Sequence, residues 1–181
     1  MTMTLGQTLR RSILAAATLI VASGLTACAT VIDPPPVIPS VSLPDMETVS
    51  VKFGHTATFT SGLSIAATRP VVYVPQGSVS DNYTPGVTTA VKVDVTCTNG
   101  TGAKQDIILA PTATSAGVNA PQVFDLALNG GQGSSIMPTI DPGGHFTWTL
   151  LFAVADPADI TLNAACDLFA KYTSDTAVFT F

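Results

Sequence analysis

Charge is scarce in this sequence. Asp, Glu, Lys and Arg together make up only 10% of 181 residues, and there are two His and a single Trp. A chain so poor in Glu, Lys and Arg is not built as a helical bundle, because the solvent faces of such bundles need strong helix formers. Basic residues are the scarcer of the two signs, seven Lys and Arg against twelve Asp and Glu, which leaves no electrostatic footprint for nucleic acid. What is present instead is Thr, Val and Ala, and the first two favour pleated, half-buried surfaces. The length leaves room for one ordinary domain and some extra chain.

One long apolar run stands at the N-terminus. Arg10 and Arg11 precede Ser12 to Ala22, an uncharged stretch whose length fits the apolar region of a signal peptide, about 7–15 residues. Leu25-Thr26-Ala27-Cys28 follows and resembles the lipobox of bacterial lipoprotein precursors. There a thiol accepts a diacylglyceryl group and small neighbours fit the cleaving peptidase. The resemblance implies that residues 1–27 are removed and that Cys28 becomes a lipidated N-terminus, held at the cell membrane on the extracytoplasmic side. Two other readings stay open. One is a plain secretory signal cleaved near Ala27; the other is an uncleaved span, since Ser12 to Ile32 carries no charge and about 20 residues cross a bilayer. Ser23-Gly24 and the low apolarity of Thr26 to Thr30 speak against the span.

Loss of Arg10 and Arg11 leaves five basic residues against twelve acidic ones, a formal −7. Such a body repels anionic lipid and wall polymers, so membrane contact is expected to depend on the lipid at Cys28 alone. Residues 28–48 read as a tether. Pro34, Pro35, Pro36, Pro39 and Pro44 remove amide donors and fix φ, which excludes helix and central strand. A polyproline-like stretch rises about 3.1 Å per residue and would reach up to roughly 60 Å.

Three cysteines are an odd number for an exported protein. With Cys28 acylated, Cys97 and Cys166 remain as a candidate pair in an oxidising compartment. A bridge would close a loop of roughly 70 residues, worth about 4 kcal/mol in the chain-entropy model. Two separate buried thiols are the alternative.

From residue 49 the apolar period is two. Val49, Val51 and Phe53 alternate with polar neighbours, and Gly62 to Arg69 gives a short run with Leu63 and Ile65 on one side. Val91, Val93, Val95 and Cys97 share a face that ends at the Asn99-Gly100 turn. Phe124, Leu126 and Leu128 mark a further strand before the Gly-rich stretch Asn129 to Ser135. Phe146, Trp148, Leu150, Phe152 and Val154 line a long inward face; Ile160, Leu162, Ala164 and Cys166 line another; Ala177, Phe179 and Phe181 the last. Cys97 and Cys166 both fall in phase with apolar faces, as a bridge between two sheets requires, and Trp148 stands ready to pack against it. Short strands between Gly, Pro and Asn turns predict an all-β antiparallel sandwich over residues 49–181.

The order of these features is similar to the immunoglobulin-like extracellular domain of unknown function found in bacterial lipoproteins and to the mycobacterial secreted immunoprotective antigen family. The carrying residues are Phe53-Gly54, Leu63-Ser64-Ile65, Val91 to Val95 ending at Asn99, Ile140-Asp141-Pro142-Gly143-Gly144 before the Phe146 strand, and Ala177-Val178-Phe179. The Val72 to Thr89 insert departs from the pattern. The resemblance implies an immunoglobulin-like fold and brings no activity with it.

No catalytic constellation is legible, and the chain is read as a non-enzyme with no cofactor and no metal. His145 with Asp141 is the one candidate base and orienter, with no nucleophile beside it; a solvent-exposed turn histidine is the plainer reading, and His55 lies near a strand end. The Gly-rich stretch lacks the Gly-Lys-Ser/Thr ending of a phosphate cradle. Met46 and Met137 form no spaced cluster with the histidines for copper. Asp156 and Asp159 fall short of the roughly 6–8 oxygens that Ca²⁺ takes. Asn82-Tyr83-Thr84 and Asn99-Gly100-Thr101 fit the N-glycosylation pattern, which means little in a bacterial lipoprotein. Tyr73 and Tyr83, among polar and Pro residues, are the candidate partner contacts, because exposed tyrosines suit interfaces; the alternative is that they only cover the sandwich edge. The expectation is a lipid-anchored envelope protein displaying a contact domain for an unidentified protein or glycan. An accessory subunit of an exported transport or wall-synthesis complex, or an enzyme with a dispersed site, are the other readings.

Overall fold

The computed structural model describes residues 46–76, 89–128, 132–168 and 173–181. The expected signal peptide, Cys28, all but the last residues of the tether, Tyr83, Asn82 and the first residues of the Gly-rich stretch lie outside the described residues.

Alternating Val, Thr and Ala residues produce strands only; no helix forms among the described residues, and none there is long and apolar enough to cross a membrane. In chain order the strands are β1 (Thr48–Lys52), β2 (Thr56–Thr58), β3 (Leu63–Ala67), β4 (Val71–Val72), β5 (Thr89–Asn99), β6 (Gln105–Ser115), β7 (Val118–Ala120), β8 (Gln122–Val123), β9 (Thr139–Ile140), β10 (His145–Val154), β11 (Ile160–Leu168) and β12 (Thr173–Thr180). They form two sheets packed as a β-sandwich. One runs β1-β12-β11-β6-β7 with β9 on β6; the other runs β2-β3-β5-β10-β8 with β4 on β5. All pairs are antiparallel except β1 with β12, which is parallel. The sandwich is antiparallel as expected, with this one parallel pair at the edge of its sheet. A parallel pair needs a long connection, and here nearly the whole domain separates the two strands.

The inward faces are those the alternation marks. Leu63, Ile65, Val91, Val93, Val95, Leu150, Phe152, Leu162, Ala164, Ala177 and Phe179 are buried in one cluster between the sheets. Cys97 on β5 and Cys166 on β11 form a disulfide that joins the two sheets. Trp148 lies in the same cluster, edge-on to Phe146 at 4.8 Å, and its Nε1 donates to the Ile136 carbonyl at 3.1 Å. That bond satisfies the one polar atom of a side chain that is otherwise fully enclosed.

Two elements differ from the sequence expectation. The first is β6, central in its sheet, which the alternation leaves unannounced because Ile107-Ile108-Leu109-Ala110-Pro111 blurs the period of two and proline argues against a strand. Ala116 N–H bonds to the Asp159 carbonyl and Ile107 N–H to the Pro138 carbonyl, so odd positions of β6 turn their main chain away from β11. Pro111 therefore faces the gap between β9, which pairs at Gln105 and Asp106, and β7, which begins at Ala113. Its missing N–H costs no ladder bond. The second is Phe124 to Leu128, expected as a strand. Only Gln122–Val123 pairs with β10, and the chain then turns, with Ala127 N–H bonded to the Asp125 carboxylate at 2.8 Å and Leu128 N–H to its carbonyl at 2.9 Å. An aspartate that accepts from the amide two residues on makes a turn in place of a ladder.

The end of β5 is tied down by Asn99, fully buried. Its amide nitrogen donates to the carbonyls of Ala103 and Ile140, and its oxygen accepts from Thr101 N–H and Oγ1. Every hydrogen-bonding position of the amide is used, so the Asn99-Gly100-Thr101 pattern offers no accessible acceptor in the folded domain.

Candidate interaction surface

After β3 the chain continues along β5. Thr68 N–H donates to the Asp94 carbonyl and Asp94 N–H to Thr68 Oγ1, both at 2.9 Å. Pro70 interrupts the pairing, β4 resumes it opposite Lys92 and Val91, and Tyr73 N–H bonds to the Ala90 carbonyl at 2.9 Å. Alternation then turns the Tyr73 ring onto the outer face of the sheet.

That outer face carries a second, small core. Leu151 and Ala153 of β10 point away from the main core, and with Val123 they form a buried cluster against which Tyr73 and Leu128 pack. Asp125, only 1% exposed, organises the covering segments. Its carboxylate accepts from the Tyr73 hydroxyl at 3.0 Å, from Gln76 N–H at 2.8 Å and from Ala127 N–H at 2.8 Å. Desolvation, that hydrogen bond and the carboxylate's charge raise the Tyr73 phenol above the ordinary range. The neighbours of Tyr73 are left outside: Val71, Val72 and Val74 are more than half exposed, as is Leu126 at the tip of the Asp125 turn. The result is an apolar rim fixed to the domain by one buried carboxylate.

The sequence candidates fall as follows. Tyr73 is half-buried with its hydroxyl engaged, and the exposed groups beside it are valines that the composition did not single out; Tyr83 lies outside the described residues. Cys97 and Cys166 are paired and Cys28 is not among the described residues. His145 opens β10 opposite Thr98, whereas Asp141 holds Lys104 at 2.8 Å. Both partners of that ion pair are about 70% exposed, so it contributes little to stability. The Asp156 carboxylate accepts from Ala158 N–H, while its main-chain N–H and carbonyl both bond to Ser115 Oγ. It is a turn former. Among the described residues no three His, Cys, Asp or Glu side chains group as for a metal ion.

The fold has solved relatives. The yjhA protein from Bacillus subtilis shares 14% identity over 71% of this chain and 98% of its own, with a TM-score of 0.51. The ycdA protein from Bacillus subtilis subsp. subtilis str. 168 shares 14% identity at a TM-score of 0.49; the likeness covers 67% of this chain and only 36% of ycdA. The secreted protein MPT63 from Mycobacterium tuberculosis shares 16% identity over 76% of this chain and 100% of its own, with a TM-score of 0.49. At such identities the likeness is one of fold. No family model and no curated protein matches the sequence.

Proposed function

We propose that this chain is a lipid-anchored protein of the bacterial cell envelope whose β-sandwich is a non-enzymatic contact module facing away from the cytoplasm. The supporting observation is the rim of Val71, Val72, Val74 and Leu126, apolar side chains more than half exposed yet held on a fixed scaffold through Tyr73 and Asp125. Apolar surface costs free energy when left in water, and on an ordered segment it is suited to a protein partner, because little ordering entropy is lost on contact. The N-terminal sequence supplies the address, and the proline-rich tether supplies the reach.

The test is site-specific photocrosslinking in the native envelope. A crosslinker at Val72 or Val74 is expected to capture a discrete protein, and Val72→Asp with Val74→Asp is expected to abolish capture by a crosslinker at Leu126. Equal capture from a crosslinker at Thr161, on the opposite sheet, would remove the rim's claim.

A further inference from the structure

The long strand β10 is paired along its whole length on one side and only at one end on the other. Asn99 N–H bonds to the Gly144 carbonyl at 2.9 Å. That bond sets the ladder so that even-numbered residues of β10 bond to β5 and odd-numbered ones turn their main chain the other way. On the other side β8 meets Leu151, and Ala153 N–H bonds to the Pro121 carbonyl at 2.9 Å. Thr147 and Thr149 have no strand beside them there; among the described residues nothing bonds their N–H and C=O groups. Had β8 continued in register, residues 125 and 127 would lie opposite Thr149 and Thr147. The Asp125 turn takes the chain off the edge at that point. Four main-chain groups are left bare.

A cleft of about 300 Å³ lies against this bare stretch, bordered by Phe146 to Thr149 on β10 and by Gln132, Gly133 and Ile136. The threonine hydroxyls are engaged elsewhere. Thr147 Oγ1 bonds to Thr96 Oγ1 at 2.8 Å, and Thr149 Oγ1 donates to the Asp94 carboxylate at 2.7 Å. The bond from Trp148 Nε1 to the Ile136 carbonyl uses the indole donor and fastens the bordering segment beside β10. What the cleft offers is therefore an N–H and a C=O at every second residue, about 7 Å apart along the strand. Half-buried Phe146 and Ile136 flank them. Other bare edges are blunted, since β1 carries Lys52 and β4 is two residues long behind Pro70.

We infer that this cleft binds an extended peptide segment as an added antiparallel strand, with two alternate residues exchanging main-chain hydrogen bonds with Thr147 and Thr149. The side chain between those two residues falls on the Phe146 face of β10, because side chains of opposed residues share a face. The spacing of donors and acceptors selects an extended backbone, and the apolar border selects an aliphatic side chain at the middle position. The volume and the bordering segment leave room for one strand and none for a second sandwich. The inference uses neither the valine rim nor the lipid anchor, so either reading can fail alone.

Amide hydrogen exchange read by NMR on the full chain in detergent tests this, with a capped seven-residue peptide of alternating Thr and Val as probe. In the free protein the Thr147 and Thr149 amides are expected to exchange about ten-fold or more faster than those of Trp148 and Leu150, which lie in the ladder with β5. The peptide should slow Thr147 and Thr149 selectively. The same peptide N-methylated at its threonines loses the paired donors and should bind about ten-fold or more weakly, the scale of one or two main-chain hydrogen bonds. Thr147→Pro removes a donor that no bond to β5 uses, and should abolish the protection of Thr149. If that variant fails to fold, the methylated peptide decides alone. Slow Thr147 and Thr149 amides in the free protein, protection at Ser50 or Val72 instead, equal binding of the methylated peptide, or no binding of the plain one would each overturn the inference.

Discussion

The hydroxyl of Tyr73 donates to the buried carboxylate of Asp125 at 3.0 Å across 52 residues of sequence. This bond fixes the exposed valines beside Tyr73, and it has a pH signature. The phenol is raised above the ordinary 10.0 of a tyrosine, so above pH 10 the unfolded chain gives up this proton first. The contribution of this bond is therefore constant below pH 10 and is lost as pH rises through the folded-state value. Urea midpoints from pH 9 upward should decline less steeply in Tyr73→Phe than in the wild type. An unchanged slope counts against the bond.

Asp125→Ala should cost more than loss of the tyrosine hydroxyl, because it leaves the amides of Gln76 and Ala127 without their acceptor as well. About 1–3 kcal/mol is expected from the uncompensated donors. Protease sensitivity should rise between residues 71 and 76 before the main core unfolds, as limited proteolysis with mass spectrometry would show.

The Cys97–Cys166 bridge spans 69 residues between the sheets. Cys97→Ser with Cys166→Ser is expected to lose about 2–5 kcal/mol, read as a lower midpoint in chemical denaturation followed by Trp148 fluorescence. Alkylation without reductant should leave both thiols unlabelled.

Two glycines two positions apart in one turn region should respond differently. A Cβ on Gly100 would lie 2.5 Å from the Gly62 main-chain oxygen, whereas one on Gly102 meets nothing within 4 Å. Gly100→Ala is expected to destabilise by about 1–3 kcal/mol, as overpacking does, and Gly102→Ala to be near neutral. Thermal melts of the pair decide it.

Metabolic labelling with a palmitate analogue should mark the wild type and leave Cys28→Ala unmarked. Label retained on the variant, or absent from the wild type, would remove the lipid anchor from the proposed function.

Much of the sandwich is legible in the residue order. The phase of Cys97 with Val91, Val93 and Val95, and of Cys166 with Ile160, Leu162 and Ala164, turns both sulfurs inward, because side chains alternate along any strand. The covalent link across the core follows that phase. The strand β6 was not legible, since its proline is harmless only where one side of the strand lacks a partner, a fact of sheet order.

Local pattern by itself determined which residues face the core, because a period of two is set by the pleat of the backbone. The tertiary structure alone decided what the outer faces do. Tyr73 and Asp125 meet only because the segments that follow β4 and β8 pack at one cluster on the outer face of β10, and Lys52 and Arg69 meet Phe181 only because the first and last strands lie side by side. Such meetings depend on strand order across a sheet, which residue-by-residue alternation does not encode.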